Sequence, residues 1–380
     1  MITQDNSITK ILLPNLLDLV EKESIPLEIA IQILELGSFE EKWVISKVLV
    51  KQGENAIQPL KKIILNENAD TETRWYGLKI LSQIKHPEII LIVTELLSKT
   101  QEEDLIILAT ETLASQGKKS ISFLSELMTK SDYRLLATKA LTQIPSLDVI
   151  PPLLSLLNDE DSTIRAMVMA SLRNFDTPEI ISAMINALKD YNSSVRKEAV
   201  IGLGLKLKSS QDEDLIEVIT PLLDDINLSV AQQAVMALSR CQSPHAVKAL
   251  DKVFHSWQTP DVLKVAIIKA LAWIATTYSI QCLGKAIYST DIATTLEIIN
   301  VLGRLTKPSV KYQAVVILTS FYYTQSPNLT NPDILQALCY SLKQLSSIEC
   351  ISVLKEIVTH HNLQVSLYAE SALTQINRVC

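Results

Sequence analysis

At 380 residues, with a formal net charge of −7 and a pI near 5.4, the chain is acidic. That argues against unaided binding to nucleic acid, where clustered Lys and Arg must displace counterions. Hydrophobic residues make up 47%, too many for a disordered chain, and 8 glycines with 5% aromatics suit helices better than a turn-rich β protein. No run of apolar residues is long enough to span a membrane as a helix.

Residues Ser7 to Glu21 place Ile8, Ile11, Leu12, Leu16, Leu19 and Val20 on one stripe, which predicts an amphipathic helix capping the open end of a stack over 1–25. Asn15 and Asp18 interrupt it and no basic start precedes it, so it does not read as a secretory signal. Pro26 opens a second helix, Leu27 to Leu36, which Gly37 ends. Ser38 and Glu41 have capping-box spacing for the next.

From there a fixed beat takes over, and it is clearest between Asn158 and Leu207. Asp159 precedes Arg165, followed by Val168 and Ser171-Leu172; Asp190 precedes Arg196, followed by Ala199 and Gly202-Leu203. The same register, a small or apolar residue three, six and seven positions after an anchor, recurs at 42, 74, 106, 134, 165, 196, 231, 264, 295, 335 and 366. The mean step is 32.4 residues. Such a period marks a solenoid. Between anchors lie further apolar-periodic segments, such as Val149–Leu157 and Glu179–Leu188, so each unit is two antiparallel helices.

The expected fold is an all-α, right-handed α-α superhelix of about eleven hairpins, one solenoid over 1–380. Regular repeats fill 26–305, an irregular long repeat 306–345 and a last repeat 346–380. In the irregular stretch Val310–Tyr323 predicts a longer helix and Thr324–Asn331 a polar loop.

An Asp, then Val/Ile-Arg, then Ala and Ala-Leu at this spacing resembles HEAT repeats of the phycobilisome-lyase type. Thr73-Arg74-Trp75-Tyr76 and Val200-Ile-Gly-Leu-Gly204 also look like cyanobacterial members of that group. Positions 106, 231, 295, 335 and 366 have lost the Arg or Lys of the pattern. The resemblance implies a non-catalytic scaffold or assembly factor whose protein clients belong to phycobiliproteins or photosynthetic complexes. It also implies a rival: a bilin lyase subunit or chromophore chaperone, with a bilin as its ligand. A HEAT-type DNA glycosylase is disfavoured by the charge.

Asp159, Asp190 and Asp225 with Arg165 and Arg196 read as a structural ladder between repeats. Positions just after the anchors are expected to face outward on the concave wall. They include Trp75, Tyr76, Lys79, Met167, Lys197, Glu198, Gln232, Gln233, Met236, Lys269, Tyr340 and Tyr368, a surface suited to a protein or pigment-bearing client. Arg173, Arg240 and Arg304 fall eight or nine residues after an anchor, where they complement the helix dipole or form a row for an anion. Trp273 reads as core.

No catalytic constellation, cofactor motif or metal spacing is present. The five histidines lack ligand spacing, and Gly202-Leu-Gly204 lacks the strand and third glycine of a phosphate loop. Five cysteines without a CxxC pair read as reduced thiols of a cytoplasmic protein, with a metal carrier using Cys282, Cys339 or Cys350 as the outlying reading.

Overall fold

The computed structural model describes residues 25–207, 213–325 and 329–379. The helix expected within 1–25 lies outside them except for Ile25, which is buried. Among the described residues there is no strand. The helices come in pairs: α1 Leu27–Leu36 and α2 Phe39–Gln52, α3 Ile57–Leu65 and α4 Thr71–Leu81, α5 Pro87–Lys99 and α6 Glu103–Ser115, α7 Ile121–Leu127 and α8 Ser131–Thr142, α9 Ile150–Leu154 and α10 Ser162–Leu172. Then follow α11 Pro178–Ala187 and α12 Ser193–Lys206, α13 Glu213–Ile219 and α14 Leu228–Leu238, α15 Pro244–Phe254 and α16 Asp261–Ile274, α17 Thr277–Ala286 and α18 Ile292–Gly303, α19 Pro308–Gln325 and α20 Pro332–Leu345, α21 Cys350–Val358 and α22 Leu363–Val379.

Every anchor of the sequence repeat is the fourth residue of an even-numbered helix. Capping fixes that register. Ser38, Asp70, Asn192, Asn227, Asp291 and Asn331 each accept an N–H from the first turn of the following helix. The leucine seven positions after the anchor is at most 2% exposed at ten of the eleven anchors, and the residue three positions after is buried in all eleven. These two positions share one helix face, so a single stripe makes the core. Each fully buried leucine contributes roughly 1.5–3 kcal/mol relative to an exposed one.

The helices form two compact units, one reaching Leu172 and one starting at Arg173. In the first, α2, α4, α6, α8 and α10 lie side by side in order, and α3 packs on α5. In the second, α12, α14, α16, α18, α20 and α22 form one layer, and α13 through α21, odd-numbered, form another. Small residues let the even helices close up. A Cβ on Gly204 would come within 2.7 Å of Ala237 Cβ, and one on Gly303 within 2.5 Å of Ser341 Cβ.

Two expectations need correction. The long helix α19 runs to Gln325, so Thr324 and Gln325 are helical rather than loop. Asn331, expected in the same loop, instead caps α20 by accepting the N–H groups of Asp333 and Ile334. Residues 326–328 lie outside the described residues. Trp273 is not core: it is 78% exposed. It stands nine residues, two and a half turns, after the half-buried anchor Lys264 and six after the buried Ile267, and so faces the opposite side from the anchor.

Candidate functional site

The ladder is built from the turn before each even helix. The Asp159 carboxylate accepts the N–H of Asp161 at 2.9 Å and, from the preceding repeat, Nη1 of Arg134 at 3.3 Å. Arg165 Nη1 donates to the carbonyls of Asp159 and Glu160. In the second unit, Arg196 Nη1 donates to the carbonyls of Asp190 and Tyr191, while its Nε and Nη2 reach Asp225. Asp190 accepts the Asn192 N–H at 2.8 Å, and Asp225 accepts that of Asn227 at 2.8 Å. Arg165 thus ties its own turn, Arg196 ties both its own turn and the next repeat's Asp225, and Arg134 reaches Asp159 of the repeat after it. From α2, Lys42 makes the forward link to the next repeat, donating to Thr73 Oγ1 at 2.9 Å and pairing with Glu72 and Asp70.

With the anchor turned inward, the positions one and five residues later form the exposed face of the even helices. On α2, α4, α6 and α8 of the first unit the plus-one residues are Trp43, Trp75, Ile107 and Leu135, while α10 has Ala166 there. Trp43 is 56% and Leu135 41% exposed; Trp75 and Ile107 are half-buried. The plus-five residues are Lys47, Lys79, Glu111 and Lys139. Lys47 Nζ lies 5.7 Å from the Trp43 ring centroid and Lys79 Nζ 5.9 Å from that of Trp75. The result is an apolar row crossing four consecutive helices, bordered on one side mostly by lysines.

Of the residues read from sequence, Trp75 and Lys79 belong to this row. Tyr76 does not. It is 3% exposed, its ring edge-on to Phe39 of the neighbouring helix at 6.1 Å and to Trp75 at 5.4 Å, and burial, with the Glu72 charge, pushes its phenol up. Trp43, Lys47, Ile107, Leu135 and Lys139 were not singled out, although the offset that selects Trp75 and Lys79 selects them too.

Met167 is half-buried on α10. In the second unit Lys197, Glu198, Gln232 and Gln233 are half-buried, and Met236, Lys269, Tyr340 and Tyr368 are exposed on α14, α16, α20 and α22. Lys269 pairs with Glu297. The three arginines are not equivalent. Arg240 and Arg304 are exposed, but Arg173 holds Glu198 at 2.8 Å, so its charge is already matched and the row is broken there.

Cys241, Cys282, Cys339 and Cys350 are buried. Among the described residues no three His, Cys, Asp or Glu side chains are placed to hold a metal ion, and no helix is long and apolar enough to cross a membrane.

A turn-tied, small-residue hairpin repeated at this period has a recognised counterpart. Residues 181–263 match the family of HEAT repeats. The HEAT match runs from within α11 into α16, the stretch containing Arg196, Asp225 and Ala231. Among solved structures, Kap121p is similar with a TM-score of 0.64 at 12% identity, covering 98% of this chain and 48% of that one. Importin beta is similar with a TM-score of 0.51 at 15% identity, covering 93% and 56%. The chain therefore spans about half the length of each, and the likeness is one of fold. No curated protein sequence matches the chain. None of these comparisons narrows the HEAT repeats to the phycobilisome-lyase type.

Proposed function

We propose that this protein is a non-catalytic scaffold that binds a protein client along the even-helix face of its first unit. The observation that carries the reading is the row Trp43, Trp75, Ile107 and Leu135, with lysines beside it. Trp43, exposed, and Trp75, half-buried, on a packed helical layer are the kind of aromatic side chains that anchor a partner. Packed helices are about 8–10 Å apart. In an extended polyproline-type segment every third residue faces the same way, about 9 Å along the axis. Such a segment, with an apolar residue at every third position and acidic residues between, would set one side chain against each helix and its carboxylates near Lys47, Lys79 and Lys139.

The resemblance to phycobilisome-lyase repeats points, at a finer level, to a phycobiliprotein or photosynthetic-complex subunit as the source of that segment. The test is fluorescence anisotropy with labelled peptides of this design, followed by purified apo-phycobiliprotein. Trp43→Ala combined with Leu135→Ala should weaken peptide binding at least about tenfold, as expected for loss of anchor residues, with little change in Tm. Undiminished binding removes this face from the site. Visible absorbance on adding a bilin to the protein and apo-phycobiliprotein together would favour the lyase reading over the scaffold.

A further inference from the structure

The arginine ladder stops at α14, and the place where it stops is open. In Arg165 and Arg196 the guanidinium covers the carbonyls of the residues six and five positions earlier. The next anchor is Ala231, for which those residues are Asp225 and Ile226. Alone among the eleven anchors, position 231 has neither bulk nor a polar atom: Ile106 and Leu335 bring volume, while Thr295 and Ser366 hydrogen-bond to Thr290 Oγ1 and the Val358 carbonyl. The aspartate expected one repeat on is Gln258.

A cleft of about 640 Å³ occupies this position, within the size range of ligand sites. Its lining includes Asp224, Asp225, Ile226, Ala231, Lys252 and Gln258. It continues into a shallower groove of about 460 Å³ that shares Thr220, Pro221, Ala249 and Lys252 and adds Glu217, Lys248 and the pair Glu213–His245.

We propose that this cleft receives an arginine side chain from a partner polypeptide, its guanidinium taking the position that the ladder leaves empty. The chain itself displays the mode of binding one repeat earlier, where Arg196 lies between a turn's carbonyls and a carboxylate. The Asp225 carboxylate is already committed to Arg196, but Asp224 makes no ion pair among the described residues and supplies the matching charge. A planar fork of donors suits carbonyl and carboxylate acceptors better than an ammonium does. Ile226, 98% exposed, offers the partner's flanking residues an apolar contact at the same place. Lys252 is the cation on this wall, and an anion held by it is the rival occupant. The site lies wholly in the second unit and does not rest on the Trp43 face.

The test uses the full chain with ¹³C-labelled alanine and isoleucine methyls, titrated with N-acetyl-arginine amide, with its neutral isostere N-acetyl-citrulline amide, and with inorganic phosphate. Arginine should shift the Ala231, Ala249 and Ile226 methyls saturably, and citrulline should bind at least about tenfold more weakly, as loss of a charge-assisted pair implies. Asp224→Asn should weaken arginine about tenfold with Tm unchanged. Ala231→Arg should fill the cleft, raise Tm and abolish the shifts. No shift at these methyls with arginine, an equal response to citrulline, unchanged affinity in Asp224→Asn, or phosphate moving the same methyls in place of arginine would each overturn the proposal.

Discussion

Arg196 meets Asp225 through two parallel hydrogen bonds, Nε to Oδ2 at 2.7 Å and Nη2 to Oδ1 at 2.8 Å, with both side chains largely buried. A pair held this way is costly to halve, because the remaining charge keeps its burial and loses its partner. Arg196→Ala should lower unfolding stability by about 3 kcal/mol. Urea denaturation followed by circular dichroism measures it. A loss comparable to that of an exposed surface pair, well under 1 kcal/mol, would show that the rung does not tie the repeats.

The same pair makes stability depend on pH. Burial by itself pushes the Asp225 carboxyl up, but the hydrogen bonds from Arg196 and the Asn227 N–H, with the Arg196 charge, outweigh it and hold the group below its ordinary value. A folded pKa below the unfolded one gives stability that is present above about pH 4, the unfolded aspartate value. That stability is lost as pH falls through the folded pKa. The gap in stability between the native chain and Arg196→Ala should therefore be widest near neutrality and narrow below about pH 4. A gap that stays constant down to the acid limit would assign the effect to packing.

Trp43 and Tyr76 separate binding from folding. Trp43 is 56% exposed, so Trp43→Ala should leave stability within about 0.5 kcal/mol while lowering affinity for the client segment. Tyr76 is 3% exposed and packs on Phe39, so Tyr76→Ala should cost about 3 kcal/mol, in the range for buried aromatics. Thermal melts of the two variants distinguish them. Any binding defect in Tyr76→Ala would then need to be read against that loss.

These cases mark what was legible in the sequence. The register was, because most even helices begin at a capped turn and the fourth, seventh and eleventh residues of each face the same core. Local chemistry writes that pattern, so Leu81, Leu203 and Leu238 could be placed before any coordinates. The facing of Tyr76 was not legible, since its burial depends on Phe39 of another hairpin. Trp273 was misread because its apolar ring suggests a core while its offset of nine from the anchor turns it outward. Ala231 was visible as a departure from the pattern, but whether a neighbour would fill the space is decided by packing. The row from Trp43 to Leu135 could have been found from the plus-one offset applied to every repeat.

Gly303 and Ser341 give a test of close helix approach. A Cβ on Gly303 would fall 2.5 Å from both Cβ and Oγ of Ser341, whose hydroxyl donates to the Ile299 carbonyl at 3.0 Å. Gly303→Ala should lose about 1–3 kcal/mol by overpacking, despite alanine's better helix propensity. Ser341→Gly should be destabilising alone, yet adding it to Gly303→Ala should recover part of the first loss, giving a coupling of at least about 0.5 kcal/mol in the double-mutant cycle. Strict additivity would mean that the helices separate freely at this seam.

The buried thiols report on the same layers. Burial pushes Cys339 up to about 12. Burial, with the charge of Asp251 and a hydrogen bond to it, pushes Cys282 up to about 11. At pH 8 a thiol of pKa near 11 is ionised in only about one molecule in a thousand, and the thiolate is the reactive form. Iodoacetamide followed by peptide mapping should therefore leave Cys282 and Cys339 unmodified in the folded chain and label both in urea. Cys339 sits on α20, three residues after Gln336 and two before Ser341, so its protection depends on α20 staying packed against α18. In Gly303→Ala, where that seam is strained, Cys339 should label faster than in the native chain while Cys282 on α17 changes less. Equal acceleration at both positions would indicate global unfolding, and none at either would leave α20 firmly seated despite the lost stability.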